Sequence, residues 1–329
     1  MGSFFTLVSI ENTKLWKRLS TKVMLIIMIA IIILATGIFK YTESQKESNT
    51  TNISENWKQL FQKDIILKKA KIKQIENGTD KMSKALIGSF KKSIAEGEYR
   101  INNNIKPELK GNIWTRVIEV NQNASYNLII ALLLIIACSA LVAGEFSEGT
   151  MKMMISRPYK RFEILTAKLI VIMLYGLLLL VTTFLLNFII LGILCGFDGI
   201  GAKEMMWTGS RIIYIPTILK TIIFFGLDFL QVIVYVIMAF TISAISRSRS
   251  IATGFSLFLL LVVRQLIQTF AILISWGKYL PFGLSDFTSV VNTGLCVEGT
   301  TLAFAISISA IYSVIFCFAG YLVFEKRDI

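Results

Sequence analysis

Histidine is missing from this sequence altogether. Its absence excludes imidazole zinc sites, Ser-His-Asp and Cys-His catalysis, and histidine proton relays. Cysteine is scarce: Cys138, Cys195, Cys296 and Cys317 are scattered, with no Cys-x-x-Cys pair. Cys138 and Cys317 fall in apolar runs, where cysteine acts as a small packing residue. Cys195 and Cys296 fall in connections expected to be external, where a disulfide is an alternative that sequence does not decide. There is no Gly-x4-Gly-Lys-Ser/Thr loop, so the chain is not expected to hydrolyse ATP itself. Gly-x-Ser-x-Gly and a paired intramembrane aspartate motif are also missing, which argues against an intramembrane enzyme. No small-residue cleavage site follows the first apolar run, which begins near Val23 and is too long for a signal peptide. It is expected to be a retained span.

What the sequence has in excess is hydrophobic residues, 54% of 329. Stretches of about 20 apolar residues imply bilayer-crossing helices. The expected fold is an all-α integral membrane protein with six transmembrane helices, at 22–40, 124–143, 164–194, 216–245, 251–275 and 300–324. Residues 1–21 read as an amphipathic helix on the membrane surface. Phe4, Leu7, Val8, Leu15 and Leu19 form its apolar stripe; Glu11, Lys14, Lys17 and Arg18 are set mostly on the other side, with Trp16 at headgroup level. The short basic connections and the ending Lys326-Arg327-Asp328 suit the cytosolic side, so both termini are expected there, with the chain in the plasma membrane. Residues 276–299, with Pro281, Gly283 and Gly294, read as an external or re-entrant segment.

Net charge is 34 − 21 = +13, which in a membrane chain reflects basic flanks and a basic loop, not nucleic-acid binding. The loop is 41–123, a helical extracellular insertion with 15 Lys/Arg against 10 Asp/Glu. A stripe from Trp57 to Ile75, with Asn52 and Glu55 as its cap, and a second through Met82, Leu86, Phe90 and Ile94 that ends near Gly97 predict an antiparallel hairpin.

The polar segment 144–163 between the second and third spans has more features than a connector needs. It holds Glu145, Glu148, Gly149, Thr150, Met153, Arg157, Pro158 and Arg161. A helix around 145–156 would present Met151, Met153, Met154 and Ile155 as an apolar face, Gly149 would permit close backbone approach, and Pro158 would stop the helix. The pattern Glu-x3-Gly-Thr, then Arg-Pro, Arg161 and finally Lys168 resembles the cytosolic coupling segment of ABC-2 type transporter permeases. The six-span layout, the N-terminal interfacial helix and the Pro-bearing stretch before the last span extend the resemblance over nearly the whole chain. It implies a bacterial permease subunit with no cofactor of its own. ATP and Mg would be bound by a partner ATPase dimer, and a second permease copy or sister permease would complete the exporter. The insertion 41–123 is larger than the first loop of plain family members and looks like that of a bacterial subgroup, some linked to peptide-antibiotic resistance or ion export.

Two charges fall deep within spans, Asp228 in the fourth and Arg264 in the fifth. Each costs about 3 kcal/mol or more at such depth unless it faces a partner or a water-filled cavity. An Asp228–Arg264 pair is therefore expected, as a packing clamp or as a charged lining of a transport path. The leading functional expectation is a transmembrane permease that couples ATP hydrolysis by a separate subunit to efflux of a peptide antibiotic, drug, lipid or ion. The alternative is an ATPase-independent membrane sensor or immunity protein that receives its ligand on the external helices.

Overall fold

The computed structural model describes residues 4–49, 56–77, 86–106, 111–150, 159–207, 212–246, 248–274, 276–293 and 300–326. Six of its helical stretches are long and apolar enough to cross a bilayer: Leu19–Gln45, Tyr126–Ser147, Arg161–Cys195, Thr217–Ile245, Arg249–Leu273 and Leu302–Glu325. The chain is a multi-pass, predominantly helical membrane protein.

Helix α1 (Phe4–Lys17) stops one residue before α2 (Leu19–Asn49), which contains the first span. At the break the Thr21 hydroxyl donates to the Leu15 carbonyl at 2.7 Å, filling an acceptor that the helix end leaves open. Helix α2 runs well past the expected boundary at residue 40, so the insertion begins on a continuous helical stalk. Within the insertion, α3 (Trp57–Asn77) and α4 (Ile87–Asn102) pack as the expected pair. Lys69 reaches Glu98 across them at 2.6 Å. Gly97 does not end the second helix, as the stripe suggested. It lies mid-helix, and a Cβ there would sit 3.1 Å from Ile65 Cδ1, so this glycine lets the two helices approach. The cap proposed at Asn52 and Glu55 lies outside the described residues.

Helix α5 (Ile113–Asn123), capped by the Asn112 side chain on Thr115 N, leads into α6 (Tyr126–Leu141). Between them Ser125 adopts a left-handed φ of 50°, which bends the chain at the top of the second span. Helix α6 is the buried centre of the bundle, with Tyr126, Ile130, Leu134, Cys138 and Leu141 in the core. A short α7 (Ala143–Ser147) follows it, and α8 (Arg161–Cys195) forms the third span.

The connection after α8 is not a plain turn. Strands β1 (Lys203–Trp207) and β2 (Ile212–Pro216) pair antiparallel, Lys203 opposite Pro216 and Trp207 opposite Ile212, a small hairpin in an otherwise helical fold. Helix α9 (Thr217–Ile245) is the fourth span. The fifth is built from α10 (Arg249–Phe258), a π-helical turn (Leu259–Val263) and α11 (Arg264–Leu273). Residues 276–293 fold back as a 3-10 turn (Gly277–Tyr279) and a short helix α12 (Phe287–Thr293), and α13 (Leu302–Glu325) is the last span.

Side-chain contacts show which ends lie together. Phe146 meets Phe324 edge-on with ring centroids 5.9 Å apart, and Arg161 donates to the Glu325 carbonyl at 3.1 Å. Lys14 of α1 also reaches Glu145 at 3.0 Å, so α1, the end of α13 and the described residues that flank the connection between the second and third spans share one end of the bundle. At the other end, Arg116 pairs with Glu43 at 2.8 Å, and Trp114 Nε1 donates to the Ile200 carbonyl at 3.0 Å. These contacts join the stalk, α5 and the loop that leads into the strand pair.

Candidate functional site

At the end that holds both termini, four charges from three elements meet. Lys168, on the third span, lies 2.7 Å from Glu11 Oε2 and 2.7 Å from Glu145 Oε2. Lys14 closes the arrangement at 2.6 Å from Glu11 Oε1 and 3.0 Å from Glu145 Oε1. Glu11 and Lys168 are wholly buried, and Lys14 is partly exposed. Two acids and two lysines alternate, so each charge meets opposite charges, the condition under which buried ions are tolerated. The same cluster completes the end of α6: Lys168 donates to the Leu141 carbonyl at 3.0 Å and Arg18 to the Ala140 carbonyl at 2.8 Å. Cations thus occupy the negative end of that helix. Burial pushes the Glu11 carboxyl up, but Lys168 and Lys14 outweigh it and hold it below the usual carboxylate range. Burial likewise pushes the Lys14 ammonium down, and Glu11 and Glu145 more than reverse this, so it lies above the usual lysine range.

Glu11 is where the amphipathic reading of α1 fails. Leu7, Glu11 and Leu15 are spaced by four, share one helix face, and are all buried against the bundle. Trp16 packs edge-on against Tyr175 at 6.0 Å.

The segment from Glu145 to Thr150 is placed beside this cluster. Over its described part, 145–150, the helix expected around 145–156 is interrupted: α7 ends at Ser147, and Gly149, with φ 69°, turns the chain. Only glycine takes that conformation without steric cost, and it is the usual residue just past a helix end. Glu148 and Gly149 are exposed, and the Thr150 hydroxyl donates back to the Glu145 carbonyl at 3.4 Å. Arg161 opens α8, and its neighbour Glu163 caps that helix by accepting from Lys160 N at 2.9 Å. Met153, Arg157 and Pro158, with Met151, Met154 and Ile155, lie outside the described residues.

The second site is a cavity of about 260 Å³ lined by Asp228, Arg264, Asp286, Asn127, Gln231 and Thr288, among others. The expected Asp228–Arg264 pair is not formed. Arg264 Nη2 lies 3.5 Å from Asp286 Oδ2, and its guanidinium stacks over Tyr235 at 5.6 Å. Asp228 is held by neutral donors: Asn121 Nδ2, Asn127 Nδ2 and the Thr288 hydroxyl, each at 2.6 Å. The physical reason lies in two backbone features. The left-handed Ser125 bends α5 against α6 so that Asn121 and Asn127 converge on one carboxylate. The fold-back of 276–293 carries Thr288 and Asp286 to that depth, giving each charge a nearer partner. Asp286 also caps α12 by accepting from Ser289 N at 3.0 Å. The π turn Leu259–Val263 directly precedes Arg264; such turns rotate the next stretch of helix and recur at functional sites.

Sequence reasoning missed Glu11, Asn121, Asn127, Asp286 and Thr288. A four-residue spacing would have exposed Glu11. The others depend on a bend and a fold-back that no periodicity announces. The Cys195–Cys296 disulfide that sequence left undecided involves Cys296, which lies outside the described residues; the Cys195 thiol donates to Glu43 at 3.5 Å.

A family profile described as a protein of unknown function, DUF2705, matches residues 82–329. The chain belongs to the DUF2705 family. The DUF2705 match spans Glu145, Lys168, Asp228, Arg264 and Asp286, and begins after Glu11 and Lys14. Among curated proteins, the chain is 28% identical over 319 residues to the uncharacterized protein YhcI of Bacillus subtilis (strain 168), covering 95% of this chain and 97% of YhcI. It is 25% identical over 207 residues to the uncharacterized membrane protein YdbK of the same organism, covering 62% of this chain and 80% of YdbK.

Proposed function

We propose that this chain is the transmembrane permease subunit of an ATP-binding cassette exporter, driven by a separate ATPase that docks at the end holding both termini. On this reading that end is cytosolic, the membrane is the plasma membrane, α1 rests along its inner surface, and the helical pair α3–α4 is extracellular. A second permease copy or a sister permease completes the assembly. The observation that supports the reading best is the buried Glu11–Lys168–Glu145 cluster. It ties α1, the 145–150 turn and the third span at one point. A push on the exposed Glu148–Gly149 turn then moves the second and third spans together with α1 instead of being absorbed by a loose loop. Close charge pairs with few alternative geometries suit such transmission, because packed interiors shift between discrete arrangements and do not deform smoothly.

A photocrosslinking residue in place of Glu148 tests this directly in cells. Capture of a nucleotide-binding cassette protein supports the permease reading; capture of lipid alone under conditions where a known permease captures its ATPase refutes it. The sensor or immunity reading draws on a different contact: α4 touches α12, whose Thr288 binds Asp228, so the outer helices are linked to the cavity. An unchanged phenotype when the partner ATPase is deleted would favour it.

A further inference from the structure

The cavity around Asp228 is unbalanced in charge. Its ionisable lining residues are Asp228, Asp286 and Arg264, so two carboxylates face one guanidinium. Arg264 is committed to Asp286 and to the Tyr235 ring. Asp228 is 2% exposed, accepts from three neutral donors, and has no cationic partner among the described residues. With both carboxylates ionised the lining carries a formal charge of −1, and a carboxylate buried in a span without a counter-charge is costly. The cavity also holds an acceptor with nothing to accept: Asn127 Oδ1 is buried and has no hydrogen-bond partner among the described residues. Its amide nitrogen is spent on Asp228 and on Gln231 Oε1 at 3.2 Å. An excess carboxylate and an idle amide oxygen in one polar cavity form the donor set for a hard monovalent cation or a protonated amine.

The Arg264–Asp286 bridge also stands at a boundary. A second cavity of about 240 Å³, lined by Gln265, Gln268, Thr269 and Thr300 among others, shares Asp286 and Ser289 with the first. Polar side chains thus continue along α11 on the far side of the bridge, within a span where lipid contact would disfavour them.

We propose that Asp228, Asn127 and Gln231 form a binding site for a monovalent cationic group, an alkali ion or a primary ammonium, with Arg264–Asp286 as the barrier to the adjoining cavity. Arg264 opposes such a ligand by its charge and Asp228 attracts it. The site stands whether or not an ATPase drives the chain.

The test is thermal unfolding of the full chain in lipid nanodiscs. Sodium, potassium or methylammonium chloride is titrated against N-methylglucamine chloride at constant chloride. A saturable rise in midpoint of a few degrees with at least one of the three is expected. The alkali and methylammonium arms separate the two sources of the charge. Asp228→Asn abolishes the rise. Arg264→Gln keeps it and tightens the apparent affinity about three- to tenfold, because it removes the repelling charge. If Asp228→Asn fails to fold, the Arg264→Gln shift still decides. No saturable rise in any arm, an equal rise in Asp228→Asn, or weaker binding in Arg264→Gln overturns the proposal.

Discussion

Lys168 and Glu11, 157 residues apart in the chain, meet as a fully buried ion pair at 2.7 Å. The contact fastens the N-terminal helix to the third span, and Glu145 joins both from the connection that follows the second span. Removing one partner strands the others. Lys168→Met should cost about 3–5 kcal/mol, because two buried carboxylates then lose their shared cation. The triple variant Glu11→Gln, Glu145→Gln, Lys168→Met should recover much of that loss. Unfolding midpoints in one detergent decide the matter, and a triple variant worse than the single one would refute a mutually compensating cluster.

The cluster also fixes a pH dependence. The carboxyl of Glu11 lies below its usual range in the folded chain, so its contribution is present at neutral pH and is lost as pH falls through that lowered value. The ammonium of Lys14 lies above its usual range, so its contribution persists at neutral pH and is lost as pH rises through the raised value. The neutral range should therefore be a plateau for this junction. Midpoints measured against pH should fall on the acid side, and Glu11→Gln should flatten that fall while lowering the plateau.

Much of the fold could be read from sequence because the bilayer imposes it. Long apolar runs located all six spans, and the periodic stripes located the helical pair α3–α4. The strand pair was hidden in a short connection, although Ile212, Ile213, Tyr214 and Ile215 are residues that favour strands. The intramembrane charges were found but wrongly paired. Helix rise gives depth along a span, whereas the choice of partner depends on the Ser125 bend and on how far 276–293 folds back. In α1 the error ran the other way: Glu11 shares the face of Leu7 and Leu15, and its charge alone made it look exposed.

Gly149 should respond to backbone shape and not to side-chain size. Its φ is 69°, and among the described residues nothing lies within 4 Å of an added Cβ. Gly149→Asn should be nearly neutral, whereas Gly149→Val should cost about 1–2 kcal/mol through left-handed strain. Midpoints of the two variants, with transport or resistance assays beside them, would check this; equal effects would contradict the turn.

The corrected charge pairing makes a separate prediction. In double-mutant cycles, Arg264→Gln with Asp286→Asn should show a coupling of about 1 kcal/mol, larger than Arg264→Gln with Asp228→Asn. Thr288→Val should cost about 1–3 kcal/mol, since it leaves the buried Asp228 short of a donor. A larger Arg264–Asp228 coupling would restore the pair expected from sequence.

The measurement that bears most directly on the central claim is gentle purification of the tagged full chain from its native membrane, with mass spectrometry of the proteins that accompany it. An ATP-binding cassette protein is expected in near-stoichiometric amount, diminished when Glu145 and Glu148 are both replaced by Gln. Purification of the intact chain with no nucleotide-binding partner, under conditions that preserve known permease–ATPase complexes, would contradict it.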